Sequence, residues 1–170
     1  MGALLIAAVS TIGDFIWAGL QLRHRVVYGL AHGALLFLCI GAYLGALKRQ
    51  RMRGAAAGAL IGFTAAGAFY VLARVFGYAI MFPIWAFIWL ALAALSGRVT
   101  DTPAPSSTDI WKRGALAMVG SGIAFYLISG IWRPFDPQGL DYLVHFVAWT
   151  IAYLPGFAAL LLTPRRTPAV

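Results

Sequence analysis

The sequence predicts an all-α polytopic membrane protein, a bundle of six transmembrane helices forming one domain over residues 1–170. Three observations carry that expectation. Six long apolar runs follow one another, almost every charge lies in the gaps between them, and only 11% of residues are charged, against roughly 25% in soluble domains. About 20 mainly apolar residues cross a hydrocarbon core of ~30 Å. A segment in lipid must also satisfy its own backbone hydrogen bonds, which for this pattern means a helix. With 62% hydrophobic residues and a mean hydropathy of +0.84, a soluble core of this length could not enclose the apolar surface.

The spans are expected at roughly 3–21, 26–47, 54–73, 76–97, 113–132 and 141–163. Met1 to Ser10 lacks the positive region of a cleavable signal peptide, so the first run reads as a retained helix. Helix two carries Gly29 with Gly33 and Gly41 with Gly45, and helix three carries Gly54, Gly58 and Gly62. Small residues four apart form a flat strip against which another backbone can lie, either within the chain or in a homo-oligomer. In helix four, Phe82, Trp85, Phe87 and Trp89 surround Pro83, which is expected to kink it. The fourth gap holds Pro103, Pro105, Ser106, Ser107 and Thr108 and reads as a flexible loop; Ser106 with Asp109 resembles a capping box for helix five. Pro155 and Gly156 make a weak point in helix six. In the last gap, Pro134 and Pro137 stiffen the turn and Asp136 is placed to hold Arg133.

The net charge of +8 flanks the apolar runs and lies on no soluble element, which excludes nucleic acid as a partner and points to anionic membrane lipids. Nine lysines and arginines fall on one side, including Lys48, Arg49, Arg51, Arg53, Arg98, Lys112, Arg113, Arg165 and Arg166. Four fall on the other, Arg23, Arg25, Arg74 and Arg133. The positive-inside rule puts both termini in the cytoplasm of a plasma or inner membrane. The single cysteine, Cys39, allows no intrachain disulfide and no paired-cysteine metal site.

Ionisable residues at membrane depth are costly and face a bundle interior or a water-filled cavity. Asp14 lies about seven residues from the outer end of helix one, or about 10 Å deep. His32 and His145 enter helices two and six from the same side, and Tyr28 stands one turn from His32. Trp17 shares the face of Asp14. The expectation is an outward-facing polar pocket lined by Asp14, Trp17, Tyr28, His32 and His145. The alternative is that Asp14 pairs with one His or Arg and ties helices together.

Other chemistries have less to build on. A metal site needs three or four convergent ligands, and His24, His32, His145 and Asp14 lack the spacing for one. Ser121 and His145 invite a serine-nucleophile reading, yet the two lie roughly 10 Å apart in depth, and Val119 stands where the GxSG pattern of rhomboid proteases needs glycine. No glutamate is present, which leaves di-carboxylate enzymes without material. No catalytic residue, metal or cofactor is assigned. The leading expectation is a non-enzymatic membrane protein that binds a lipid or small hydrophobic ligand between its helices. A small transporter or channel subunit using the same pocket is second, and an intramembrane enzyme third.

Six helices, short outer loops and one longer cytoplasmic loop give the chain a layout that resembles the Insig family of membrane regulators. The last third carries the closest likeness, with a helix ending near Tyr126 to Trp132, then PFDPQGLD, then a helix with Tyr142 and the late Pro155. The resemblance implies a non-enzymatic regulator that binds a lipid between its helices and self-associates. It transfers no individual site residue.

Overall fold

The computed structural model describes residues 1–20, 25–100, 106–129 and 142–161. Among these there is helix and no strand. The helices are α1 (Gly2–Leu20), α2 (Arg25–Ala46), α3 (Arg51–Phe76), α4 (Met81–Thr100), α5 (Ser107–Ser129) and α6 (Tyr142–Leu161), with a 3-10 turn at Gly77–Ile80. The turn joins α3 and α4 without an intervening loop, so the described chain falls into five continuous helical stretches.

Length and composition qualify three stretches to cross a membrane: Val26–Ala46, Arg51–Gly97 and Tyr142–Leu161. Six separate spans are not supported on that basis. The apolar part of α1, Gly2–Ile16, is short, and α5 opens with Asp109, Lys112 and Arg113 in its first two turns. The long stretch is not a straight rod. Gly62 of α3 and Ile88 of α4 line one cavity, although 26 helical residues would separate them by about 39 Å if the helix ran on. The reversal falls at Gly77, whose φ of 63° is open to glycine at no steric cost.

Each helix packs on the next in sequence, and α6 closes back on α1. α4 also touches α2 and α6. It leans inward because Trp85, Ile88, Trp89 and Leu92 put bulk on one face, all of them buried. The apolar core draws on every helix, from Ile6 of α1 to Phe157 of α6. The outside is apolar as well. Ile12, Leu35, Leu60, Phe87, Leu116 and Leu154, one from each helix, are exposed.

The glycine strip has found its partner within the chain. Gly33 packs on Gly62, Phe37 on Gly58, Gly41 on Gly54 and Gly45 on Gln50. Each step of four along α2 meets a step of four along α3 in reverse, the signature of an antiparallel pair in fixed register. A methyl group added at Gly58 would drive into the Phe37 carbonyl, and one at Gly41 into the Gly54 carbonyl. The strip is therefore buried between α2 and α3, and not available as the face of an oligomer. The turn between these helices ends α2 with Arg49 at φ 59°, while Gln50 N–H donates to the Gly45 carbonyl at 2.8 Å and Arg49 N–H to the Ala46 carbonyl at 3.3 Å. That is a Schellman ending with arginine where glycine is usual.

Two prolines act differently from one another. Pro83 is the third residue of α4, where its missing N–H would have had no partner inside the helix. The expected kink at Pro83 is thus corrected to a helix start. Pro155 does lie inside α6. It offers no N–H to the turn before it, and the Ser121 hydroxyl of α5 donates to the Ala152 carbonyl in that turn. Helix α5 begins at Ser107, earlier than expected, because Ser106 caps it. The Ser106 hydroxyl accepts from Asp109 N–H at 3.1 Å and donates to Asp109 Oδ2 at 2.8 Å.

Candidate functional site

A cavity of about 300 Å³ lies between the helices, and α1 to α6 all contribute to its wall. Ser10 and Asp14 come from α1, one turn apart on the same face. From α2 come Gly29, His32, Gly33, Leu36 and Phe37. Tyr78 of the Gly77–Ile80 turn, Trp85 of α4, Phe125 of α5, and Trp149 and Tyr153 of α6 add aromatic surface. Opposite α2, the α3 residues Ala65 and Ala66 are small, which leaves the space open.

Asp14 is the polar focus. Trp149 Nε1 donates to its Oδ2 at 2.7 Å, and His145 Nδ1 stands 3.5 Å from the same oxygen. The His145 side chain is 2% exposed and that of Asp14 26%, so the carboxylate reaches the cavity while the imidazole sits behind it. Phe15 stacks on Tyr142 and meets the edge of His145, holding the α1–α6 contact on the far side. Deeper along the same pair of helices, the Ser10 hydroxyl donates to the Tyr153 hydroxyl at 3.3 Å.

His32 reaches the site because Gly13 lets it. Its ring lies against the backbone of Gly13, where any side chain would collide with it. Tyr28 stacks on His32 with centroids 5.9 Å apart, and its hydroxyl donates to the Gly13 carbonyl at 2.8 Å. The Gly13–Asp14 pair thus does two jobs. Gly13 gives α2 a close approach, and Asp14 faces the cavity beside it.

Of the sequence-expected residues, Asp14 and His32 line the cavity, Tyr28 braces His32, and His145 backs Asp14. Trp17 lies in α1, and its side chain is outside the described residues, as are Arg23, His24, Arg133, Asp136 and the PFDPQGLD turn. Sequence reasoning missed Trp149, Tyr153 and Ser10, and singled out Trp85 in helix four without assigning it to the site. A signal existed for two of them, since Trp149 and Tyr153 follow His145 by one and two helical turns and share its face. Trp149 and Tyr153 stack with centroids 5.5 Å apart, and Trp85 stacks on Phe125 at 4.8 Å, so these rings form a continuous aromatic wall.

The arrangement brings no group of three His, Cys, Asp or Glu side chains into metal-binding range among the described residues. Ser121 is fully buried, and its hydroxyl is committed to the Ala152 carbonyl, seven residues along α6 from His145. The site offers one carboxylate, one imidazole and several hydroxyls at the edge of an aromatic and aliphatic space.

Fold and site together define an all-helical protein with three stretches able to cross a membrane and an aromatic, carboxylate-bearing cavity between its helices. No protein-family model, curated protein or solved structure matches this chain.

Proposed function

We propose that the chain is a non-enzymatic integral membrane protein that holds a lipid or small hydrophobic ligand in the cavity between its helices. In this reading all six helices cross the bilayer, α3 and α4 as separate spans folded at Gly77, and both termini face the cytoplasm. The exposed apolar side chains on every helix support the membrane reading, because soluble monomers rarely expose contiguous apolar surface on this scale. The lysine and arginine asymmetry supports the orientation.

The observation that carries the binding function is the cavity itself. Its wall draws on all six helices, is mostly apolar, and places Asp14, His32 and Trp149 together. That combination, a largely apolar space of about 300 Å³ with a few convergent polar groups, is the ordinary form of a small-molecule site. Native mass spectrometry of the protein released from its own membrane in mild detergent tests it. A lipid or metabolite retained at fixed stoichiometry is the expected result, and Ala66→Leu, which narrows the cavity, should lose it. A protein that flies bare, or one whose ligand survives Ala66→Leu, would overturn the assignment.

A further inference from the structure

We propose that the cavity takes an organic cation: an amine or quaternary ammonium group on an apolar body, with Asp14 as counter-charge and the aromatic wall as its seat. The inference rests on the ligand-binding reading above and names the chemistry of the ligand.

The charge balance of the wall points this way. With histidine neutral, Asp14 is the one formally charged residue lining the cavity among the described residues; no Lys or Arg lines it. An anion entering this space would meet a carboxylate with no cation to offset it. A neutral ligand would leave the carboxylate as it stands, partly withdrawn from water at membrane depth, where an ionised group is costly. A cation would neutralise it. Among the described residues, both recorded contacts to the carboxylate fall on Oδ2, from Trp149 and His145. With the side chain 26% exposed, Oδ1 is left to meet a ligand.

The aromatic content points the same way by an independent route. Eight of the twenty lining residues are aromatic, in a chain that is 14% aromatic overall. Phe69, Tyr70 and Tyr78 stand on the α3 side and Trp85, Trp149 and Tyr153 on the α4–α6 side. Aromatic rings attract cations through the negative charge of their faces, and cages of such rings are a common means of recognising quaternary ammonium groups. His32, also in the wall, adds an acceptor for a protonated amine when its imidazole is neutral. The volume of about 300 Å³ is at the small end for ligand pockets, which suits a compact head with a short apolar body.

The test uses the full-length protein in nanodiscs of zwitterionic lipid and three probes that share a phenylethyl body. These are (2-phenylethyl)trimethylammonium, its neutral isostere with carbon in place of nitrogen, and the anion 3-phenylpropanoate. Affinity is read from the rise in melting temperature with probe concentration. The cation should bind at least about tenfold more tightly than either analogue, which corresponds to ~1.4 kcal/mol. Asp14→Asn should abolish the preference of the cation over the neutral isostere, and Ala66→Leu should weaken the cation by narrowing the cavity. Equal affinity for cation and isostere, a preference for the anion, or a preference that survives Asp14→Asn would overturn the cation inference and leave the ligand-binding reading standing. Should Asp14→Asn not fold, the comparison among probes on the native protein and its loss in Ala66→Leu decide the matter alone. Failure of all three probes to bind, together with a bare native mass spectrum, would overturn both.

Discussion

The α2–α3 pair and the α1–α4–α6 side solve the problem of packing helices in opposite ways. Along α2 and α3, glycines let two backbones touch, with Gly33, Gly41, Gly54, Gly58 and Gly62 leaving no room for a side chain. On the other side, Trp85, Trp89, Trp149 and Tyr153 hold the helices apart with rings. Close backbone contact gives a dry, rigid seam in which dispersion operates over the whole length. Large flat rings cannot tile the space completely, and the cavity opens where they meet the small residues of α3. The seam fixes the frame, and the aromatic side carries the site.

The largest expected effect tests the seam. Gly58→Leu should force α2 and α3 apart, because the new side chain enters the Phe37 carbonyl. A loss of about 3 kcal/mol, the upper part of the range for overpacking, is expected. Melting in detergent or nanodiscs measures it. A wild-type melting temperature would show that α2 and α3 are not an interlocked pair.

Next in size is the polar focus of the aromatic side. Asp14→Asn keeps an acceptor for Trp149 Nε1 but removes the charge that it and His145 face. Hydrogen bonds within membrane helices average about 0.6 kcal/mol and reach about 1.7, so a loss of roughly 1 kcal/mol is expected. A double-mutant cycle of Asp14→Ala with Trp149→Phe, in which each single variant removes the bond, checks the bond itself. If the two losses simply add, the α1–α6 contact does not run through this bond.

How much of this contrast the sequence disclosed follows from what stands out in an apolar background. A carboxylate in a hydrophobic run is conspicuous, so Asp14 was legible, and the histidines with it. The glycine strip was legible as a strip, since spacing of four is visible in one dimension. Its partner was not, because choosing between α2 and a second copy requires the register in which Gly33 meets Gly62. Trp149 and Tyr153 were hidden among other aromatics in apolar helices; only the pairing of α1 with α6 gives them meaning. The role of Pro83 turned on where α4 begins, and the reversal at Gly77 moved that start by several residues. A cavity is a property of helix order, which no single helix encodes.

Smaller again is the brace on α6. Ser121→Ala removes the donor to the Ala152 carbonyl beside Pro155 and should cost about 0.6 kcal/mol. The residue is fully buried on α5, away from the cavity lining, so ligand retention should be unchanged. Loss of bound ligand in this variant, measured by native mass spectrometry, would extend the site into the α5–α6 contact and blur the division between frame and site.

The smallest effect on stability is the most informative partner to the first. Ala66→Leu enlarges a residue of α3 two turns beyond Gly58, as Gly58→Leu enlarges the strip itself. Ala66 rests against α2 at Gly33 and also borders the cavity, so a larger side chain there can turn into the open space. With its bulk turned into the cavity it should cost less than any of the substitutions above while abolishing ligand retention. The two substitutions thus place similar bulk on one helix and differ in what lies opposite, the α2 backbone alone at Gly58, and at Ala66 both α2 near Gly33 and the open cavity. A penalty at Ala66 as large as that at Gly58 would mean the cavity is not empty space between packed helices but part of the same close-packed seam. A tolerant, ligand-free Ala66→Leu protein would separate what holds this molecule together from what it holds.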